Sequence, residues 1–112
     1  MISIYKLLDQ NNNIFYIGQT NNPQRRLQEH QREFKLQKKQ MYKKMFMLGI
    51  TSFEMKVICE EPNRYKGELM ETMLICYYLL NDVKILNKSI NPKNNHYGKK
   101  TKTKKEKKSK PN

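Results

Sequence analysis

Apolar and polar positions alternate in part over residues 2–8, where Ile2, Ile4 and Leu8 fall at even steps and Tyr5 takes the other parity. That is the period of a β-strand. Residues 9–13 are turn formers, Asp9 and three asparagines among them, and residues 14–17 resume an apolar run that meets Gly18. Two short strands across such a turn predict a hairpin whose second strand ends at Gly18. Asn22 can accept from the unpaired amides of a helix start, and Pro23 suits the first helical position, so a helix is predicted over residues 24–35. Arg26 and His30, four apart, share one of its faces. Leu27 and Phe34, seven apart, supply part of its buried stripe. A second helix is predicted over residues 37–48, with Met41, Met45 and Leu48 as its apolar seam and Gly49 as its stop.

Residues 53–59 carry the cleanest strand pattern. Phe53, Met55, Val57 and Cys59 alternate with Glu54, Lys56 and Ile58, which predicts one apolar face and one mostly wet face. Glu60, Glu61 and Pro62 terminate it. The longest helix is predicted over residues 64–80. Its apolar stripe is Leu69, Met73, Cys76 and Leu80, broadened by Leu74, Ile75 and Tyr78, and this helix is expected to centre the core. Asn81 and Asp82 stop it, and residues 83–87 fit a strand or a helix equally. The order strand, strand, helix, helix, strand, helix predicts an α/β fold of the α+β type: a small three-stranded antiparallel sheet flanked by helices.

Charge adds a second feature. The 112 residues carry a net +13, and eight lysines with the single acid Glu106 place +7 of it in residues 98–112. A folded domain is therefore expected over residues 1–95, followed by a basic, disordered tail over 96–112. Such a tail gains affinity for a polyanion by counterion release and reads no bases; a solubilising or localisation role is the plainer alternative. Lys38, Lys39, Lys43 and Lys44 are either a solvated helix face or a flank for the same polyanion. No apolar run approaches the ~20 residues of a membrane span, and no secretory leader is evident, so neither a membrane partner nor secretion is expected. Cys59 and Cys76 are too few for a disulfide framework or a zinc site; they read as small buried hydrophobes in an intracellular, reducing setting. His96 reads as a surface residue.

Several polar groups stand out against this frame. Tyr5 and Tyr16 lie in neighbouring strands, where cross-strand packing is the alternative to chemistry. Arg26 and His30 share a helix face. Glu71 interrupts an apolar helix, with Glu68 as its competitor one turn earlier, and Asn87 follows Ile85 and Leu86. A hydroxyl pair, a guanidinium, an imidazole and a carboxylate are a workable set for cleaving a phosphodiester.

The same residues resemble the signature of the GIY-YIG nuclease family. Its first segment stands here as Ser3-Ile4-Tyr5, with serine in place of the leading glycine, and its second as Tyr16-Ile17-Gly18. Arg26 with His30, Glu71 with Ile75 four residues on, and Leu86-Asn87 follow in the family's order, so the resemblance spans residues 1 to about 90. It implies a stand-alone, divalent-metal-dependent DNA endonuclease that leaves 5′-phosphate and 3′-hydroxyl ends with little sequence specificity. By position it implies that Tyr5 activates or orients the attacking water and that Tyr16 partners it. Arg26 then binds the scissile phosphate, and His30 orients water or phosphate. Glu71 is the single protein ligand of one Mg²⁺ or Mn²⁺, and Asn87 is a supporting hydrogen bonder. Gln19 stands where many members have lysine, and Arg25 is placed to compensate. DNA is the expected partner, selectivity being left to DNA structure, a partner protein or self-association, in a repair, viral or mobile-element setting. Two rivals remain: a basic nucleic-acid-binding module of the same fold without turnover, and a structural protein, which requires these residues to be scattered.

Overall fold

The structure, a computed structural model, describes residues 1–87. The expected basic tail, the boundary at residue 95 and His96 lie outside the described residues. Strands β1 (Ile2–Asp9), β2 (Ile14–Thr20) and β3 (Phe53–Glu61) and helices α1 (Pro23–Leu36), α2 (Gln40–Met47) and α3 (Arg64–Leu80) follow in the expected order. The three strands form one antiparallel sheet in the order β2-β1-β3. The α+β reading therefore holds. Among the described residues no helix is long and apolar enough to cross a membrane.

The turn between β1 and β2 is closed by Asp9, whose Oδ1 accepts from the amides of Asn11 at 2.8 Å and Asn13 at 2.9 Å. Asn12 adopts the left-handed conformation at φ 65°, which asparagine tolerates better than most residues. β1 is the middle strand and is covered on both faces. Tyr5 and Leu7 pack with Phe15, Tyr42, Met45 and Ile50 on one side, while Ile4 packs with Ile17 and Ile75 on the other. Helices α1 and α2 thus cover one face of the sheet and α3 the other. A central strand covered twice has little use for polar alternation, which explains the dense apolar run around Tyr5.

Four expectations need correction. β2 does not end at Gly18 but pairs on to Thr20, with Gly18 opposite Tyr5; the glycine there makes room for the tyrosine ring. The second helix begins at Gln40, not at residue 37. Gln37 sits at φ 55° and caps α1, its amide donating to Glu33, while its side chain donates to the carbonyls of Phe34 and Tyr42 and ties α1 to α2. Within α2 the buried side chains are Tyr42 and Met45, whereas Leu48 is exposed. β3 does not keep one apolar face. The register slips between Ile4 and Tyr5, which pair with Cys59 and Val57, and this bulge sends Phe53 and Met55 to the α1–α2 side and Cys59 to the α3 side, leaving Val57 and Ile58 exposed. Cys59 and Cys76 are both half-buried.

The fourth correction concerns α3. Its residues facing the sheet are Gly67, Met70, Leu74, Ile75 and Tyr78. Leu69, Met73 and Leu80, expected as core, are exposed. The helix is apolar on both faces, so periodicity could not choose between them. Gly67 chooses: a Cβ there would lie 2.7 Å from Ile2 Cγ2 and 2.9 Å from Gln19 Oε1, so this is where the helix comes closest to the sheet.

Candidate active site

The site is built on the pairing of Tyr5 with Gly18 across β1 and β2. A Cβ on Gly18 would stand 2.5 Å from Tyr5 Cζ and Oη and 2.9 Å from Tyr16 Cε2. Only a residue without a side chain lets the phenol of Tyr5 lie across the strand beside Tyr16, with ring centres 6.3 Å apart. Gly18 is thus the floor under both phenols.

Helix α1 delivers the next two groups. It starts directly after β2, where Asn22 Oδ1 accepts from the Arg25 amide at 3.1 Å and Pro23 opens the first turn. One further turn places Arg26 and His30 over the tyrosines. His30 is fully buried. Its Nε2 lies 2.7 Å from the Tyr5 hydroxyl and its Nδ1 lies 2.8 Å from the Tyr42 hydroxyl, with the Tyr16 ring edge-on at 5.6 Å. Burial, and then the nearby Arg26 charge, pull the His30 pKa from 6.5 down to about 4. The ring is therefore neutral near pH 7: one nitrogen donates and the other accepts, and either tautomer satisfies both hydroxyls.

The phenols resist ionisation. Burial, and then the proximity of Tyr16, raise the Tyr5 pKa well above 10. Burial, and then the negative charge of Glu71, raise that of Tyr16. Arg26 opposes both shifts. Burial also works against the Arg26 charge, but Tyr5, Glu29 and Tyr16 outweigh it, and Arg26 stays a cation. Its Nη1 donates to Glu29 Oε1 at 2.9 Å, an i, i+3 pair that steadies the guanidinium and, by that hydrogen bond first, lowers the Glu29 pKa.

Glu71 comes from α3. Gln19 Nε2 donates to its Oε1 at 2.9 Å, and the close approach at Gly67 puts Gln19 within reach. Position 19 therefore orients the carboxylate from the end of β2. Arg25 is held by Asn21 at 3.0 Å and, with Gln19, Thr20, Arg64 and Glu68, lines a groove of about 350 Å³ beside the Gln19–Glu71 pair. Among the described residues no three His, Cys, Asp or Glu side chains converge as a metal cage. One half-buried carboxylate is instead the donor set that suits a hard cation completing its shell with water and phosphate oxygens.

Five of the six sequence-predicted residues thus gather at one corner of the sheet: Tyr5, Tyr16, Arg26, His30 and Glu71. Asn87 does not join them. Its Oδ1 accepts from the Ile17 amide at 3.1 Å and its Nδ2 donates to the Ile17 carbonyl at 2.7 Å, so it pairs with the outer edge of β2 as a strand residue would. Together with the Leu86 amide bond to the Phe15 carbonyl at 2.7 Å, it holds the strand segment that presents Tyr16 and Gly18. Residues 83–87 are neither strand nor helix. Sequence reasoning missed Tyr42, which reads as one more apolar position in α2, and Glu29. The signal for Glu29 was its i, i+3 step from Arg26; nothing local marked Tyr42.

A corner that sets protonated phenols beside one fixed cation and one carboxylate suits a phosphoryl group. Residues 1–81 match the family described as the GIY-YIG catalytic domain. The chain belongs to this family, and the resemblance carried by Ser3-Ile4-Tyr5 and Tyr16-Ile17-Gly18 is borne out. GIY-YIG members are endonucleases, which makes DNA the substrate class. No curated protein and no solved structure gives a match.

Proposed function

We propose that the protein is a divalent-metal-dependent DNA endonuclease that leaves 5′-phosphate and 3′-hydroxyl ends, with Tyr5, Tyr16, Arg26, His30 and Glu71 as its reactive set. The observation that carries this reading is the Tyr5–His30–Tyr42 chain of hydrogen bonds, two bonds of 2.7 and 2.8 Å through one neutral imidazole, beside the Arg26 cation. At rest the Tyr5 proton stays on the phenol. To take a proton from attacking water, Tyr5 passes its own to His30 Nε2 in the same step, and the Nδ1 proton is held by Tyr42. The water oxygen bonds to phosphorus as the P–O3′ bond breaks, and the departing 3′ oxygen takes its proton from solvent water. Arg26 binds the non-bridging oxygens and neutralises charge that grows on them, and Tyr16 donates to the same group. Glu71, oriented by Gln19, would hold a Mg²⁺ or Mn²⁺, whose chemistry is to polarise the phosphoryl oxygen and acidify bound water. Arg25 on the neighbouring groove offers a backbone phosphate contact, the part the lysine plays in other members.

The test is cleavage of labelled plasmid, duplex, single-stranded, flap and junction DNA with Mg²⁺, with Mn²⁺ and with EDTA, alongside Glu71→Ala. Metal-dependent cutting that disappears in the variant supports the reading, and ligation of the products reports the ends. Tight, salt-sensitive binding by both proteins with no cutting on any substrate would replace it with a binding module of the same fold.

A further inference from the structure

The face of α3 turned away from the sheet is an exposed apolar stripe that the candidate site does not explain. Leu69, Met73, Cys76 and Leu80 recur along it at steps of four, three and four, the spacing of a helix that pairs with another helix. Tyr65 and Tyr77 flank them. Met73 is 62% exposed, Tyr65 70% and Leu80 83%. A helix apolar on both faces is a buried helix, and here, among the described residues, only one face is buried by its own fold. Residues 88–112 offer just Ile90 and Tyr97 as large apolar side chains, too few to cover this stripe.

Charge points to the occupant. No acid stands in the first turn of α3 and no base in the last. Instead Lys66 lies near the positive end of the helix and Asp82 follows its negative end, each against the helix dipole. A second α3 laid antiparallel reverses both mismatches at once. With Leu69 against Leu80 of the second copy and Met73 against its Cys76, Asp82 falls beside the turn that carries Lys66. The surface is self-complementary, as a twofold interface requires. The exposed side chains can bury on the order of 500 Å² per copy, near the ~1,000 Å² floor for a specific interface, which gives a concentration-dependent dimer.

We propose that the outward face of α3 pairs with a second copy of this chain in an antiparallel, twofold dimer. Glu71 is two residues from Met73 and so points to the opposite side of the helix. Pairing leaves both candidate sites open and turned outward, so one particle carries two of them. This inference does not depend on the nuclease reading.

Sedimentation of the full chain across the micromolar range tests it. A monomer–dimer equilibrium is expected, weakened roughly tenfold or more by Met73→Lys with the circular dichroism of the fold retained. Lys66→Glu improves the dipole match of the single helix, so it should raise the melting temperature at low concentration while loosening the dimer several-fold; Lys66→Glu with Asp82→Lys should restore association. A chain that stays monomeric overturns the proposal. So does a dimer indifferent to Met73→Lys but abolished in Met47→Lys, which alters the exposed end of α2, or one that Lys66→Glu does not loosen.

Discussion

His30 carries the clearest prediction at the scale of single residues. Its pKa of about 4 in the fold lies below its ordinary 6.5, so between those values the unfolded chain takes the proton first. The stability this supports is complete above pH 6.5 and falls as the pH drops toward 4, by up to about 1.4 kcal/mol per unit. Urea midpoints measured from pH 7.5 to 4 should show this slope, and His30→Gln should flatten it. Tyr5→Phe keeps the ring over Gly18 but removes the hydroxyl bonded to His30; if the proton route is right, cleavage falls by about 10²–10⁴-fold with substrate binding little changed. Gly18→Ala puts a methyl into the Tyr5 ring, and the displaced phenol should lower stability by about 1–3 kcal/mol, read from the denaturant midpoint, and reduce cleavage as well.

At the scale of elements, the edge strand β2 carries Tyr16, Gly18 and Gln19 and, among the described residues, has no neighbouring strand on its outer side. Asn87 stands in for one, giving Ile17 both an acceptor and a donor. Asn87→Ala leaves those backbone groups to water and should cost about 1–3 kcal/mol, with faster hydrogen exchange at the Ile17 amide than at the β1–β3 amides. Cleavage should fall through misplacement of Tyr16, which a raised KM with a smaller change in kcat would report. Helix α3 has the converse arrangement: Gly67 and Gln19 meet at its closest approach to the sheet, and from there Glu71 acts electrostatically on Tyr16.

For the whole molecule, the uneven charge governs encounter with DNA. Of the net +13, +7 lies in residues 98–112, so DNA affinity should fall steeply with salt. Removing those residues should weaken binding and reduce the slope of log K against log salt by on the order of 0.9 for each phosphate that is no longer neutralised. Fluorescence anisotropy at several salt concentrations measures both, and an unchanged slope would mean that residues 1–97 supply all the neutralising charge.

Much of this was legible in the chain because it is local or ordered along it. The strand and helix periods, the Asp9–Asn13 turn, the Asn22-Pro23 helix start and the spacing of Tyr5, Tyr16, Arg26, His30 and Glu71 each depend on near neighbours or on a family pattern. What the chain did not determine alone are matters of which surfaces meet. Gly18 reads as a strand end, and only the Tyr5 ring lying across it gives the glycine its purpose. The β3 alternation was broken by a bulge opposite Ile4 and Tyr5, Tyr42 became a partner of His30 only when α2 packed on α1, and the facing of α3 was set by close approach at Gly67. Periodicity measures how apolar a face is; tertiary packing decides which of two apolar faces the fold buries, because only packing tests the space available to each side chain.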